Sequence, residues 1–183
     1  MATFGTSSAQ GGGTDNPSSN YVWIKATSTP ASNGTLTAIH IWCSQILAGN
    51  IAAALYSDSG GVPDALIASN ETGVAIPSSP GDASIAVSAS ITAGTQYWFG
   101  IRTHGLGGDA AIDFGSATGT ELYFESSAGG NFPATVGTPG GSDASERWTV
   151  WGEYTPSGGG GTGIDPQLKS MRALAAIGRA ANF

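Results

Sequence analysis

Leu36-Thr37-Ala38-Ile39-His40-Ile41-Trp42-Cys43 sets Ile39, Ile41 and Cys43 on one side of an extended chain and Ala38, His40 and Trp42 on the other. Side chains of a β-strand alternate between faces, so a stretch like this reads as a strand with one face in a core. The same period of two returns downstream. Ile85, Val87, Ala89 and Ile91 share a face, as do Tyr97, Phe99 and Ile101, and in Arg147 to Tyr154 the residues Trp148, Val150 and Tyr154 alternate with Thr149, Trp151 and Glu153. Shorter candidates are Tyr21 to Ala26, Ile51 to Tyr56, Leu66 to Glu71, Ala111 to Phe114 and Glu121 to Glu125. Between Tyr56 and Leu66, Ser57-Asp58-Ser59-Gly60-Gly61-Val62-Pro63 predicts a loop, in which glycine supplies positive φ and proline ends the pairing. No part of this body sustains a 3.6-residue pattern. Eight or nine strands in two antiparallel sheets are therefore expected: an all-β, jelly-roll-like sandwich.

Composition agrees with a turn-rich β module. Of 183 residues, 40% are hydrophobic and only 10% charged, with 29 glycines. The single cysteine excludes an intramolecular disulfide, and no run of about 18 apolar residues reads as a membrane span. The start, MATFGTSSAQGGG from Met1 to Gly13, lacks the basic and apolar regions of a secretory signal.

Charge divides the chain. Residues 1–156 hold twelve acids against Lys25, Arg102 and Arg147, a net −9, whereas the remainder holds one acid against Lys169, Arg172 and Arg179, a net +2. An acidic body repels phosphate backbones, so no nucleic-acid partner is expected. The sign changes across a Gly-rich run, which places a sandwich domain at 1–156, a flexible linker at 157–164 and a C-terminal segment at 165–183. Asp165-Pro166 is a helix start, an N-cap followed by proline at the first helical position. Leu168, Met171, Leu174 and Ile177 then form an apolar stripe with Arg172 and Arg179 off it, ahead of Phe183. A helix of about 24 Å is marginal alone in water and is stabilised when its stripe meets an apolar partner. These residues are the expected docking surface for a capsid or other assembly protein. Three cations on so small a face bind membranes weakly, which makes a membrane the lesser partner.

Several segments together resemble β-sandwich modules of tailed-phage virion proteins and modular bacterial surface proteins. They are Thr3-Phe4-Gly5, Leu55-Tyr56-Ser57-Asp58 with Gly61 and Pro63, Ile91-Thr92-Ala93-Gly94-Thr95-Gln96-Tyr97-Trp98, Asn131-Phe132-Pro133-Ala134-Thr135 and Trp151-Gly152-Glu153-Tyr154-Thr155-Pro156. The resemblance spans most of residues 3–156 and implies a binding or structural module without a catalytic residue set.

The residues themselves carry no common catalytic motif. There is no Gly-x-Ser-x-Gly elbow, and neither His40 nor His104 has a His-Glu-x-x-His or Cys-x-x-Cys companion. No enzyme and no cofactor are expected. A structural Ca²⁺ would draw on Asp58, Asp64, Asp109 and Asp113, with Asp109 and Asp113 beside His104 the metal candidates, although no twelve-residue acidic loop organises them. Cys43 continues an inward face and reads as a small buried hydrophobe. Exposed aromatic faces stack on sugar rings, and this makes Trp42, His40, Trp151 and Trp98 candidates for binding a glycan.

Two functions follow as expectations. The first is a non-enzymatic virion structural protein, a capsid decoration, cement or head-fibre module displayed on the virion surface and anchored by its C-terminal peptide. The second is a carbohydrate-binding or adhesion module. A homo-oligomer is compatible with both, and a trimer would suit display at a symmetry axis.

Overall fold

Each apolar face that the alternation creates finds a partner in a second sheet. The computed structural model describes residues 1–8, 13–15, 22–44, 49–104, 112–116, 121–123, 131–137, 141–143 and 146–157. The expected linker beyond Ser157, the C-terminal helix with Leu168, Met171, Arg172, Leu174, Ile177, Arg179 and Phe183, and the loop carrying Asp109 lie outside the described residues.

Sheet A is built on β4 (Gly34–Cys43), which pairs with β7 (Gly81–Ile91) on one edge and β13 (Val150–Pro156) on the other. Outside β13 lies β1 (Ala2–Gly5), giving the order β1-β13-β4-β7. Sheet B has the order β3-β8-β5-β6, with β3 (Trp23–Ser28), β8 (Tyr97–His104), β5 (Asn50–Asp58) and β6 (Pro63–Ala75). All pairings are antiparallel, and the β5–β6 hairpin joins neighbours within a sheet while successive strands β3 to β4, β4 to β5, β6 to β7 and β7 to β8 cross between sheets. Small additions extend sheet A at one end: β9 (Ile112–Ser116) meets β4 at Cys43 and pairs with β2 (Gly13–Asp15) and β12 (Glu146–Trp148). A separate ribbon pairs β10 (Glu121–Tyr123) with β11 (Gly141–Asp143).

The main core lies between the sheets. Leu36, Ile39, Ile41, Ile85 and Val87 from sheet A meet Ile51, Leu55, Phe99 and Ile101 from sheet B. Phe4 sits at its aromatic centre, with ring centroids 5.4 Å from Phe99, 5.9 Å from Tyr154 and 6.3 Å from Tyr97. Gly152 makes room for that ring, since a Cβ there would stand 2.6 Å from Phe4 Cε1.

In sheet B, the outer faces of β5 and β8 are buried as well. Residues 131–137 lie along sheet B, pairing with the start of β6 through Leu66 N–H to Ala134 O and Val136 N–H to Asp64 O. Phe132 packs there with Val22, Ile24, Ala52, Ala54, Tyr56 and Trp98. Polar contacts fasten the segment: Tyr56 Oη donates to Pro133 O at 3.0 Å, and Phe132 N–H donates to Glu71 Oε1 at 3.1 Å. Arg102, paired with Glu71 at 3.2 Å, lies 5.7 Å from the Phe132 ring centroid.

Two expectations are corrected by these strands. Pro63 opens β6 opposite Asp58 instead of ending the pairing, because the first residue of an edge strand owes the ladder no N–H. β6 is also thirteen residues long, not the short Leu66 to Glu71, and it bends at Gly73, whose φ of +65° takes up a register shift against β5.

Candidate functional site

The outward residues of β4, β13 and β7 meet near one end of sheet A. Trp151 lies opposite His40, and His40 lies opposite Ser84 on the other side, so register alone brings three strands to one place. The His40 and Trp151 rings stack 4.9 Å apart and 7° from parallel. Trp42, two residues along the same face, lies opposite Asp82, and Glu153 follows Trp151 at the same spacing. Trp42, His40, Trp151 and Glu153 are each partly exposed, and Asp82 is exposed.

His40 is held by Asp82 and faces Glu153. Its Nδ1 is 2.7 Å from Asp82 Oδ2, and its Nε2 is 4.0 Å from Glu153 Oε2. A carboxylate accepts only, so Nδ1 carries the proton in this pair. Nε2 is buried and makes no hydrogen bond. A Ser-His-Asp site needs a hydroxyl bonded to the second nitrogen, and none of the described residues supplies one here. What the arrangement offers is one indole fixed by stacking, a second on the same face, and two carboxylates that can accept hydrogen bonds.

Trp98 does not join this group. It is 1% exposed, and its indole N–H donates to Asp58 Oδ1 at 2.8 Å, so its face is core and the expectation of a glycan platform there is corrected. Trp98 belongs to the outer cluster of sheet B together with Val22, Ile24, Tyr56 and Phe132. Asp58 is equally committed: Oδ1 also accepts from Gln96 Nε2 at 3.0 Å, and Oδ2 from Gly61 N–H at 3.1 Å. That bonding fixes the β5–β6 turn, where Gly60 and Gly61 take φ of +66° and +87°. Asp113 lies in β9, opposite Thr14. Among the described residues no three of His, Cys, Asp and Glu gather as a metal site, and no helix there is long and apolar enough to cross a membrane.

Cys43 ends the inward face of β4 and is fully buried. Burial, assisted by the negative charge of Asp82, pushes its thiol up to about 12, so it stays protonated and unreactive at neutral pH.

Asp82 escapes sequence reasoning, because its place beside Trp42 depends on the β4–β7 register. Glu153 carries a local signal, its i+2 spacing from Trp151. Compared with known proteins, the chain matches no family model, and no curated protein or solved structure is significantly similar to it.

Proposed function

We propose that the chain is a non-enzymatic display module of a phage-like virion, a capsid decoration, cement or fibre protein whose sandwich is held to an assembly partner by residues 165–183. The strand orders β1-β13-β4-β7 and β3-β8-β5-β6 are read as a jelly roll, an architecture that serves viral coats and sugar-binding domains alike. Fold alone does not assign a function. The observation that carries the reading is where the chain leaves the sandwich. Ser157 N–H bonds Asn33 O, at the end where Gly94 N–H bonds Pro30 O. Trp151 lies six positions back along the same strand, about 20 Å away at the usual rise. A tether at one end thus leaves the aromatic face free near the other. Repetition on a symmetric shell supplies the avidity that a short docking peptide needs.

Co-sedimentation with particles of the source system tests this. The full chain is compared with one ending at Ser157, a cut that keeps the bond to Asn33. Pelleting of the full chain alone is the expected result. Equal pelleting of both would move the interface to the sandwich and overturn the anchor.

A further inference from the structure

We propose that the outer face of sheet A binds a neutral polysaccharide, with sugar rings lying on Trp151 and Trp42 and their hydroxyls donating to Asp82 and Glu153. The display reading does not depend on it, nor it on the display reading.

Four observations point to this ligand. First, the platform is preorganised: Trp151 is stacked on His40, which is itself tied to Asp82 at 2.7 Å, so little side-chain freedom remains to be lost on binding. Secondly, one register neighbour of Trp151 has no side chain. The partner on the side away from His40 is Gly5 of the edge strand β1, and a Cβ at Gly5 would stand 3.2 Å from Trp151 Cβ and 2.8 Å from its Cα. The glycine sets no side chain against Trp151 from that strand. Thirdly, both acids retain acceptor capacity. Asp82 uses Oδ2 on His40, and a carboxylate has about four acceptor positions, which sugar hydroxyls can fill. Fourthly, the rest of the face is hydroxylated: Thr35, Thr37, Ser84, Ser88, Ser90 and Thr155 are exposed.

The same facts separate this ligand from its rivals. Asp82 and Glu153, on a body of net charge −9, repel phosphates and acidic glycans. The exposed large hydrophobic residues among those described are Met1, Val62 and Ile67, none on β4, β7 or β13, so the two indoles stand among hydroxyls and carboxylates instead of in an aliphatic patch. A basic peptide would suit indole and carboxylate but leaves the row of hydroxyls without a role.

The test is native affinity electrophoresis of the full chain in gels containing dextran, galactomannan, xyloglucan or a β-1,3-glucan, with alginate as the anionic comparison. Retardation by at least one neutral polymer is expected. Trp151→Ala should weaken it at least about tenfold and Trp42→Ala severalfold, while Val62→Ala leaves it unchanged. Glu153→Gln, which preserves shape and one acceptor, should weaken it severalfold and guards against a folding artefact at Trp151. No retardation by any neutral polymer would overturn the proposal. So would undiminished retardation of both Trp151→Ala and Glu153→Gln, stronger binding to alginate, or capture of oligolysine that these variants abolish. None of these failures would touch the co-sedimentation result, which reads the tail.

Discussion

Truncating Phe132 to alanine tests whether the segment at 131–137 is structural cover for sheet B. Its ring is 5% exposed and packs with Val22, Ile24, Ala52, Ala54, Tyr56 and Trp98. Removing a buried phenylalanine costs about 3–5 kcal/mol where the site cannot collapse. Collapse is restricted here, because neighbours Ala52 and Ala54 are too short to fill the void and the backbone that follows is held by Tyr56 to Pro133 and Val136 to Asp64. The ring also lies against Arg102, at 5.7 Å, an interaction that belongs to the same sum. The backbone N–H to Glu71 survives the substitution. A loss of about 3–4 kcal/mol is expected, out of the roughly 5–15 kcal/mol that a folded domain has. In urea, with a slope of about 1.5–2 kcal/mol per molar, the midpoint should fall by about 2 M, followed by far-ultraviolet circular dichroism. Phe132→Leu, which refills most of the space, should lose less than half as much. Polysaccharide binding should be unchanged, since the ring lies on the opposite side of the sandwich from His40 and Trp151. A loss below about 1 kcal/mol for Phe132→Ala would refute the reasoning, because the segment would then not be part of the core.

Gly73→Ala should lower stability by at least about 2 kcal/mol, since φ is +65° and the added Cβ would strike the Ile51 carbonyl; Gly94→Ala, at φ +69° with open space around it, should cost less in the same thermal melts. Asp58→Ala leaves the buried Trp98 indole N–H without its acceptor and should cost about 2 kcal/mol by urea denaturation, with Asp58→Asn milder because it keeps an oxygen there. Alkaline pH should destabilise the fold through Cys43. Below its ordinary value of 9.0 both states hold the thiol proton, and between there and about 12 only the folded state does, so stability falls as pH rises, by up to about 1.4 kcal/mol per unit. Tyr56, also pushed up by burial and by Glu71, adds a loss of the same sign at higher pH. Urea midpoints between about pH 8 and 11 should therefore fall less steeply for Cys43→Ala than for the parent chain.

Strands whose one face meets the core were legible in the sequence. The alternation from Leu36 to Cys43 places Ile39, Ile41 and Cys43 inside and His40 and Trp42 outside, as found, and it does the same for Tyr97, Phe99 and Ile101. The stack of His40 on Trp151 needed the pairing of β4 with β13, a contact across more than a hundred residues that no local pattern specifies. Trp98 shows where periodicity stops being informative. Alternation puts it opposite Phe99, but that side is a second core whose members include Val22 and Phe132, far apart along the chain. A signal was nonetheless present: Ile51-Ala52-Ala53-Ala54-Leu55-Tyr56 is apolar without interruption, the mark of a strand covered on both faces, and all six residues are buried. Asp58 looked like a cation ligand because an acid in a glycine-rich loop has that chemistry, yet three donors already occupy it.

Oxidative footprinting of the tryptophans in the full chain, read by mass spectrometry with and without a retarding polysaccharide, tests the central claim most directly. The claim is that sheet A presents partly exposed aromatics while β5 and β8 of sheet B are covered on both sides. Trp42 and Trp151 should be oxidised in the free protein and protected by the polysaccharide, while Trp98 and Trp148, 1% and 0% exposed, should react slowly in both samples. Oxidation of Trp98 as fast as Trp151, or no protection of Trp151 by a polymer that retards the chain, would contradict it.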